Sequence, residues 1–202
     1  MSYRPKLIPG EVIPLLEDHI KKNCKKAETA WEFANQDEDT LTGDFLGNLR
    51  TPGWIGDSNY QFRFFYNKVR GRGNGALEKH TGTDGIITIE LQLGNHRSIV
   101  KSIVFQAKKQ GNVSGKAQKI IMDKYFPDAN VIFRYSPDSF VVEDFDGKDI
   151  RICDFLINHF FSCEYGMYDL YYNNSVNNFV RNGKELKYLT AKHSLKLKIR
   201  KK

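Results

Sequence analysis

Three residues of the sequence have the types and the spacing that phosphodiester hydrolysis requires. Asp84 comes just before an apolar segment at 86–93, and Gln106 and Lys108 alternate with apolar residues in the segment 102–108. Because strand side chains alternate between faces, a hairpin of these two segments would bring all three residues to one face. Oxygen donors suit a hard divalent cation, and a lysine suits the charge on a phosphate. We therefore predict a candidate centre at Asp84, Gln106 and Lys108.

The elements that would position these residues follow from hydrophobic periodicity. Apolar residues at three- and four-residue steps predict a helix that begins near Pro14, and Asp37 is predicted to cap a second helix. The second helix is predicted at 38–49, and further helices are predicted to start at Ser114 and to span 150–161. The predicted strands are 59–67, 86–93, 102–108, 130–135 and 140–143. This order predicts an α/β fold in which helices flank a central mixed β-sheet.

The length of the chain, 202 residues, predicts a single domain. We place its core at about 11–145 and a C-terminal helical and basic extension at about 148–202. The segment from 165 onward carries mixed signals, so no elements are predicted in it.

The formal charge of +7 is concentrated near the C-terminus. Seven of the 31 basic residues follow Glu185 and no acid does, which leaves 24 bases and 24 acids before that point. A second basic run lies between 101 and 124. Surfaces of this kind attract phosphates by releasing counterions if they fold together, whereas either run taken alone is more typical of an ordinary solvated surface.

Two short motifs resemble those of a known family. Thr83-Asp84-Gly85, followed by Phe105-Gln106-Ala107-Lys108-Lys109, resembles the PD-(D/E)XK nuclease superfamily in its Mrr-like restriction-endonuclease variant, where a Q-x-K motif replaces the second acid. Glu38 is similar to a helical glutamate that often completes the metal site in that family. The resemblance covers residues 31 to about 135 and implies a restriction-endonuclease-like core.

The resemblance also implies roles for single residues. Asp84 would be the main carboxylate ligand of Mg²⁺ or Mn²⁺, Gln106 and Glu38 would add oxygen ligands, and Lys108 would orient the attacking water or stabilise the phosphate. Gln118 resembles a polar helical position that flanks the site, and it fits an exposed surface glutamine equally well. The predicted DNA contacts are Arg70, Arg72, Lys109, Lys116 and Lys119.

Several functional alternatives stay open at the level of sequence. The resemblance implies a DNA endonuclease of a defence or restriction system, acting as a homodimer or with a protein partner subunit. The chain could instead be a non-catalytic nucleic-acid-binding module that uses its basic C-terminal tail, or an interaction subunit that uses the aromatic residues of 160–180. No segment has the length and apolar character of a membrane span or of an export signal, so we expect a cytoplasmic protein with reduced cysteines.

Overall fold

The computed structural model describes residues 7–34, 37–56, 59–69, 83–94, 97–112, 116–186 and 189–202. The helices are α1 (Ile13–Thr29), α2 (Trp31–Ala34), α3 (Glu38–Leu49), α4 (Lys116–Tyr125) and α5 (Ile152–Phe155), with a 3₁₀ turn at Gly10–Val12 and a π-helical segment at Leu156–Phe161. The strands are β1 (Tyr60–Lys68), β2 (Gly85–Leu93), β3 (Arg97–Lys109), β4 (Asn130–Tyr135), β5 (Phe140–Phe145), β6 (Lys148–Arg151), β7 (Met167–Tyr168), β8 (Leu170–Asn173), β9 (Asn178–Arg181), β10 (Lys184–Leu186) and β11 (His193–Lys201). Within the described ranges, no helix combines the length and the apolar character needed to cross a membrane.

An eight-stranded mixed sheet organises the molecule. Its strand order is β1-β11-β2-β3-β4-β5-β6, with β7 added to one end of β3. β11 runs parallel to β2 and β3 parallel to β4, whereas the other neighbours are antiparallel. The predicted α/β fold with a central mixed sheet and flanking helices is therefore confirmed.

α1 and α3 cover one face of this sheet. The apolar stripe of α1 packs with that of α3 over the inward side chains of the central strands, and Phe45, Ile87, Phe105 and Leu197 lie in this core. α3 begins where the sequence predicts, because the Asp37 carboxylate accepts a hydrogen bond from the Thr40 N–H at 2.7 Å and so caps the first turn. This cap fixes the position of Glu38, the first residue of α3.

The opposite face is covered over only part of its area. α4 and a three-stranded antiparallel sheet of β8, β9 and β10 pack on the side chains of Ile86, Val104 and Ile132, which form a second apolar cluster. Toward the other end of β1, β11 and β2, the same face carries polar and charged side chains that are half-buried or exposed.

The C-terminal segment is not the helical and basic extension that the sequence predicts. β11 lies in the sheet between β1 and β2, and Leu195, Leu197 and Ile199 on it are fully buried. Lys196, Lys198 and Arg200 alternate with them on the other face. Basic and apolar residues alternate here, so a count of charges alone does not reveal that the segment is a strand with one apolar face.

The predicted helix at 150–161 is also partly wrong, because its first residues belong to a strand. Lys148–Arg151 pairs with β5 as strand β6, and the helical turns begin only at Ile152. The segment from Met167 to Leu186 forms four short strands, so the chain beyond residue 148 is mainly β-structure and extends the two sheets.

Candidate functional site

Asp84 lies at the point where β2 begins beside β3. Its main-chain N–H donates to the Phe105 carbonyl oxygen at 2.9 Å, and its Oδ2 accepts the Ala107 N–H at 2.9 Å. The Lys192 ammonium lies 3.4 Å from Oδ1. Burial raises the pKa of the Asp84 carboxyl above its ordinary value, because the Ala107 N–H and the charges of Lys192 and Lys108 offset only part of the lost hydration.

Glu38 reaches the same edge of β3 from the start of α3. Its Oε1 accepts the Lys109 N–H at 3.1 Å and a second hydrogen bond from the Asn112 amide. The N–H groups of Ala107 and Lys109 are two residues apart in one strand, so they point the same way. The carboxylates of Asp84 and Glu38 therefore lie side by side along β3, beyond its last pair with β2, which is Gly85 with Phe105.

A cavity of about 200 Å³ opens over these carboxylates. It is lined by Asp37, Glu38, Asp39, Thr42, Asp84, Lys192 and His193. These residues come from α3, from the segment before β2, and from the start of β11. Three distant parts of the chain thus build one acidic cavity with a lysine and a histidine in its wall.

A hydrogen-bonded histidine forms one side of the cavity. The His193 ring is 0% exposed; its Nε2 lies 2.9 Å from Asp39 Oδ1, and its Nδ1 lies 2.9 Å from the Tyr66 hydroxyl. Lys68 also pairs with Asp39. Burial lowers the pKa of His193, and the nearby Asp39 carboxylate only partly opposes this. The His193 ring, in contact with the Tyr66 hydroxyl and the Asp39 carboxylate, joins β11 to α3.

Gln106 does not line the cavity. Its side chain is 2% exposed, its amide nitrogen donates to the Gln118 Oε1 on α4, and its own Oε1 is buried with no hydrogen-bond partner in the part of the chain that the structure describes. The structure therefore brings Asp84 together with Glu38 and pairs Gln106 with Gln118. The fit of Gln118 to an exposed surface residue is wrong, since it is half-buried against Gln106.

The predicted basic residues have different surroundings. Lys108 is half-buried and its charge acts on Asp84, while the Lys109 ammonium lies 5.7 Å from the centroid of the Trp31 ring. Lys119 forms an ion pair with Asp123 one turn further along α4. Arg70, Arg72 and the side chain of Lys116 lie outside the described residues.

Sequence reasoning missed Lys192 and His193 as members of the site. In the sequence Lys192 is one of the bases near the C-terminus, and no motif singles out His193. Their signal is the strand pattern of β11, which places its first residue beside Gly85 in the parallel pair with β2. A parallel neighbour so far along the chain has no local sequence signature.

Among the described residues, no group of three or more His, Cys, Asp or Glu side chains is placed to hold a metal ion. Comparisons of the chain with protein-family models, with curated proteins and with solved structures gave no match. Fold and site together define an α/β protein with two carboxylates on one strand edge beside basic side chains. Any function must therefore be argued from this geometry.

Proposed function

We propose that this chain is a metal-dependent nuclease that hydrolyses DNA phosphodiester bonds at the cavity of Asp84 and Glu38. One observation carries the proposal: two carboxylates from separate elements lie side by side on the edge of β3, and the charges of Lys108 and Lys192 act on Asp84. Membership of the PD-(D/E)XK superfamily, a restriction-endonuclease-like core, a homodimer, a partner subunit and a defence role are further proposals that rest on the sequence motifs.

The donor set is compatible with Mg²⁺ or Mn²⁺. Mg²⁺ in nucleases and related enzymes is commonly held by one or two carboxylates, with water and substrate phosphate as its other ligands, so a cluster of three acids is not required. Asp84 and Glu38 would hold the cation, with water and substrate phosphate as its remaining ligands. The raised pKa of Asp84 also indicates a carboxylate with too little compensating charge, which a cation would supply.

The side chains around the cavity would then have separate roles in hydrolysis. A bound cation lowers the pKa of a coordinated water and offsets charge on the phosphate. Asp84 and Glu38 are anchored by main-chain N–H groups, so they can keep a fixed orientation. Lys108 would stabilise the negative charge that develops on the phosphate, and Lys192 would neutralise Asp84 in the absence of the cation.

The proposal is tested by incubating plasmid and linear DNA with the full chain and Mg²⁺ or Mn²⁺. We expect cleavage that EDTA abolishes and that falls about 100-fold or more in Asp84→Asn and in Lys108→Ala, the range typical of lost transition-state stabilisation. Lys148→Ala, an exposed lysine at the far edge of the sheet, is the matched control and should cleave like the wild type. Circular dichroism and thermal unfolding establish that each variant is folded.

Two results would contradict the nuclease proposal. One is cleavage that persists in folded Asp84→Asn and Lys108→Ala variants. The other is a wild-type protein that binds DNA but leaves it intact with every divalent cation tested.

A further inference from the structure

The open part of the sheet face opposite α1 and α3 carries a second concentration of chemically active side chains. It is built by outward residues of β1, β11 and β2 together with Trp54, which precedes β1. We call it the basic face: Trp54, Arg63, Phe65, Glu90, Lys196, Lys198 and Arg200. α4 and the small sheet cover the other end of this side of the sheet and leave these residues half-buried or exposed.

The charge of the basic face is strongly positive. Arg63, Lys196, Lys198 and Arg200 are its four bases, and Glu90 is its only acid among the described residues. The Glu90 carboxylate is shared, since its oxygens lie 3.3 Å from the Lys196 ammonium and 3.6 Å from the Lys198 ammonium. An excess of three positive charges on one patch of sheet is complementary to a polyanion.

Two aromatic rings lie among these bases. The Arg200 guanidinium stacks 3.9 Å from the centroid of Trp54, and the Arg63 guanidinium lies 4.7 Å from that of Phe65. The two rings are 6.4 Å apart in an edge-on arrangement. Half-exposed rings that hold flat cations can hold flat bases in the same way.

Arg63 has hydrogen-bonding capacity that the described residues do not use. Its Nε is buried and has no hydrogen-bond partner in the described part of the chain, and its Nη2 reaches only the Pro52 carbonyl oxygen, at 3.3 Å. The exposed part of such a guanidinium can donate to a phosphate oxygen, the acceptor that it matches best.

We propose that the basic face binds single-stranded nucleic acid, with phosphates on its arginines and lysines and bases stacked on Trp54 and Phe65. A duplex presents its phosphates but keeps its bases stacked inside, so it would use the charges and not the rings. The face is distinct from the cavity of Asp84: Arg200 lies roughly 20 Å along β11 from His193 at strand spacing, and on the other side of the sheet. Binding here does not depend on the nuclease proposal.

The test measures the affinity of a fluorescein-labelled oligothymidylate of roughly 16 nucleotides for the full chain in EDTA, by anisotropy. Trp54→Ala should weaken binding about ten-fold and Trp54→Phe should restore most of it, because a ring is the required feature. Lys198→Ala with Arg200→Ala should weaken binding and lower the slope of log affinity against log salt by about 1.4, the value for two lost single-strand phosphate contacts.

The matched control removes two exposed lysines from α1, Lys22→Ala with Lys25→Ala, on the other side of the sheet. This control should bind like the wild type. Four results would each overturn the proposal. They are equal losses of affinity in both double variants, normal binding by Trp54→Ala, tighter binding of duplex than of single strand, and no binding at all. Because EDTA removes divalent cations, none of these outcomes depends on whether the chain cleaves DNA.

Discussion

The carboxyl group of Asp84 is poorly compensated for its degree of burial. Its side chain is 22% exposed, one N–H donates to it, and the Lys192 ammonium lies at 3.4 Å, a long distance for a hydrogen bond. Charged groups in such surroundings commonly belong to functional sites, where an incoming ligand completes them. Ionised Asp84 is therefore a group whose burial costs the fold stability, as expected if the proposed cation binds there.

The effect of the ionised Asp84 carboxylate on the free energy of unfolding can be measured with Asp84→Asn. The folded-state pKa of Asp84 lies above its ordinary value of 3.8, so the folded protein resists ionisation and the free energy of unfolding falls as pH rises through that window. Asparagine can still accept the Ala107 N–H but cannot ionise. We expect the variant to be more stable than the metal-free wild type at pH 7, by on the order of 1 kcal/mol, in urea unfolding with EDTA.

Asp123→Asn is the matched control for that measurement. Although burial acts to raise the pKa of Asp123, hydrogen bonds from Lys119 and Asn130 outweigh it, and the pKa is lowered. The ionised carboxylate therefore stabilises the fold above its ordinary pKa, and its loss should lower stability at pH 7. The two stability changes need not be equal in size. An Asp84→Asn variant that is less stable than the wild type would contradict our description of Asp84.

The residue types predicted which of these side chains lie at the site better than they predicted what those side chains contact. Asp84 and Glu38 were selected by their resemblance to a motif, and the structure places both on the edge of β3. The resemblance places Gln118 beside the site, but the direct contact of Gln106 with Gln118 depends on the rotation of α4 over the sheet. Hydrophobic periodicity locates a helix along the chain. It does not fix the rotation of that helix about its own axis closely enough to show which polar residue faces the sheet.

β11 is the element on which most of the architecture depends. It is paired along its length on both sides, antiparallel to β1 and parallel to β2, and its first residues help to line the cavity. A strand in this position contributes to the core through every second side chain. It cannot be removed without separating β1 from the rest of the sheet.

We therefore expect two adjacent substitutions in β11 to differ strongly in their effect on stability. Leu197→Ala removes a fully buried side chain and should lower the free energy of unfolding by about 2–5 kcal/mol. Lys198→Ala, on the outward face, should change it by less than about 0.5 kcal/mol. Urea unfolding of both variants, with an unchanged slope against urea, is the measurement. Equal, small effects would indicate that the C-terminal segment is a peripheral tail.

The elements before residue 145 were predicted well because each carries a local signal. β4 at Asn130–Tyr135 and α3 behind its Asp37 cap match the predicted bounds. β11 has an equally clear alternation of apolar and basic residues, but its basic half was interpreted as a tail. Its pairing with β2, more than 100 residues away, is set by the complete sheet rather than by local sequence.

The whole molecule places two chemically different surfaces on opposite sides of one sheet. The cavity of Asp84 and Glu38 lies on the side of α3, and the basic face lies on the side of α4. β11 connects them, with His193 in the wall of the cavity and Arg200 on the basic face. The excess positive charge that the sequence concentrates near the C-terminus is thus spread along an ordered strand that reaches both surfaces.

The central claim is that Asp84 and Glu38 hold one divalent cation between them. Titration calorimetry with Mn²⁺ on the full chain tests it directly. We predict one Mn²⁺ per chain, with affinity reduced about 10- to 100-fold in both Asp84→Asn and Glu38→Gln and unchanged in Asp123→Asn. A wild-type protein that binds no Mn²⁺, or variants that bind it as the wild type does, would contradict the claim.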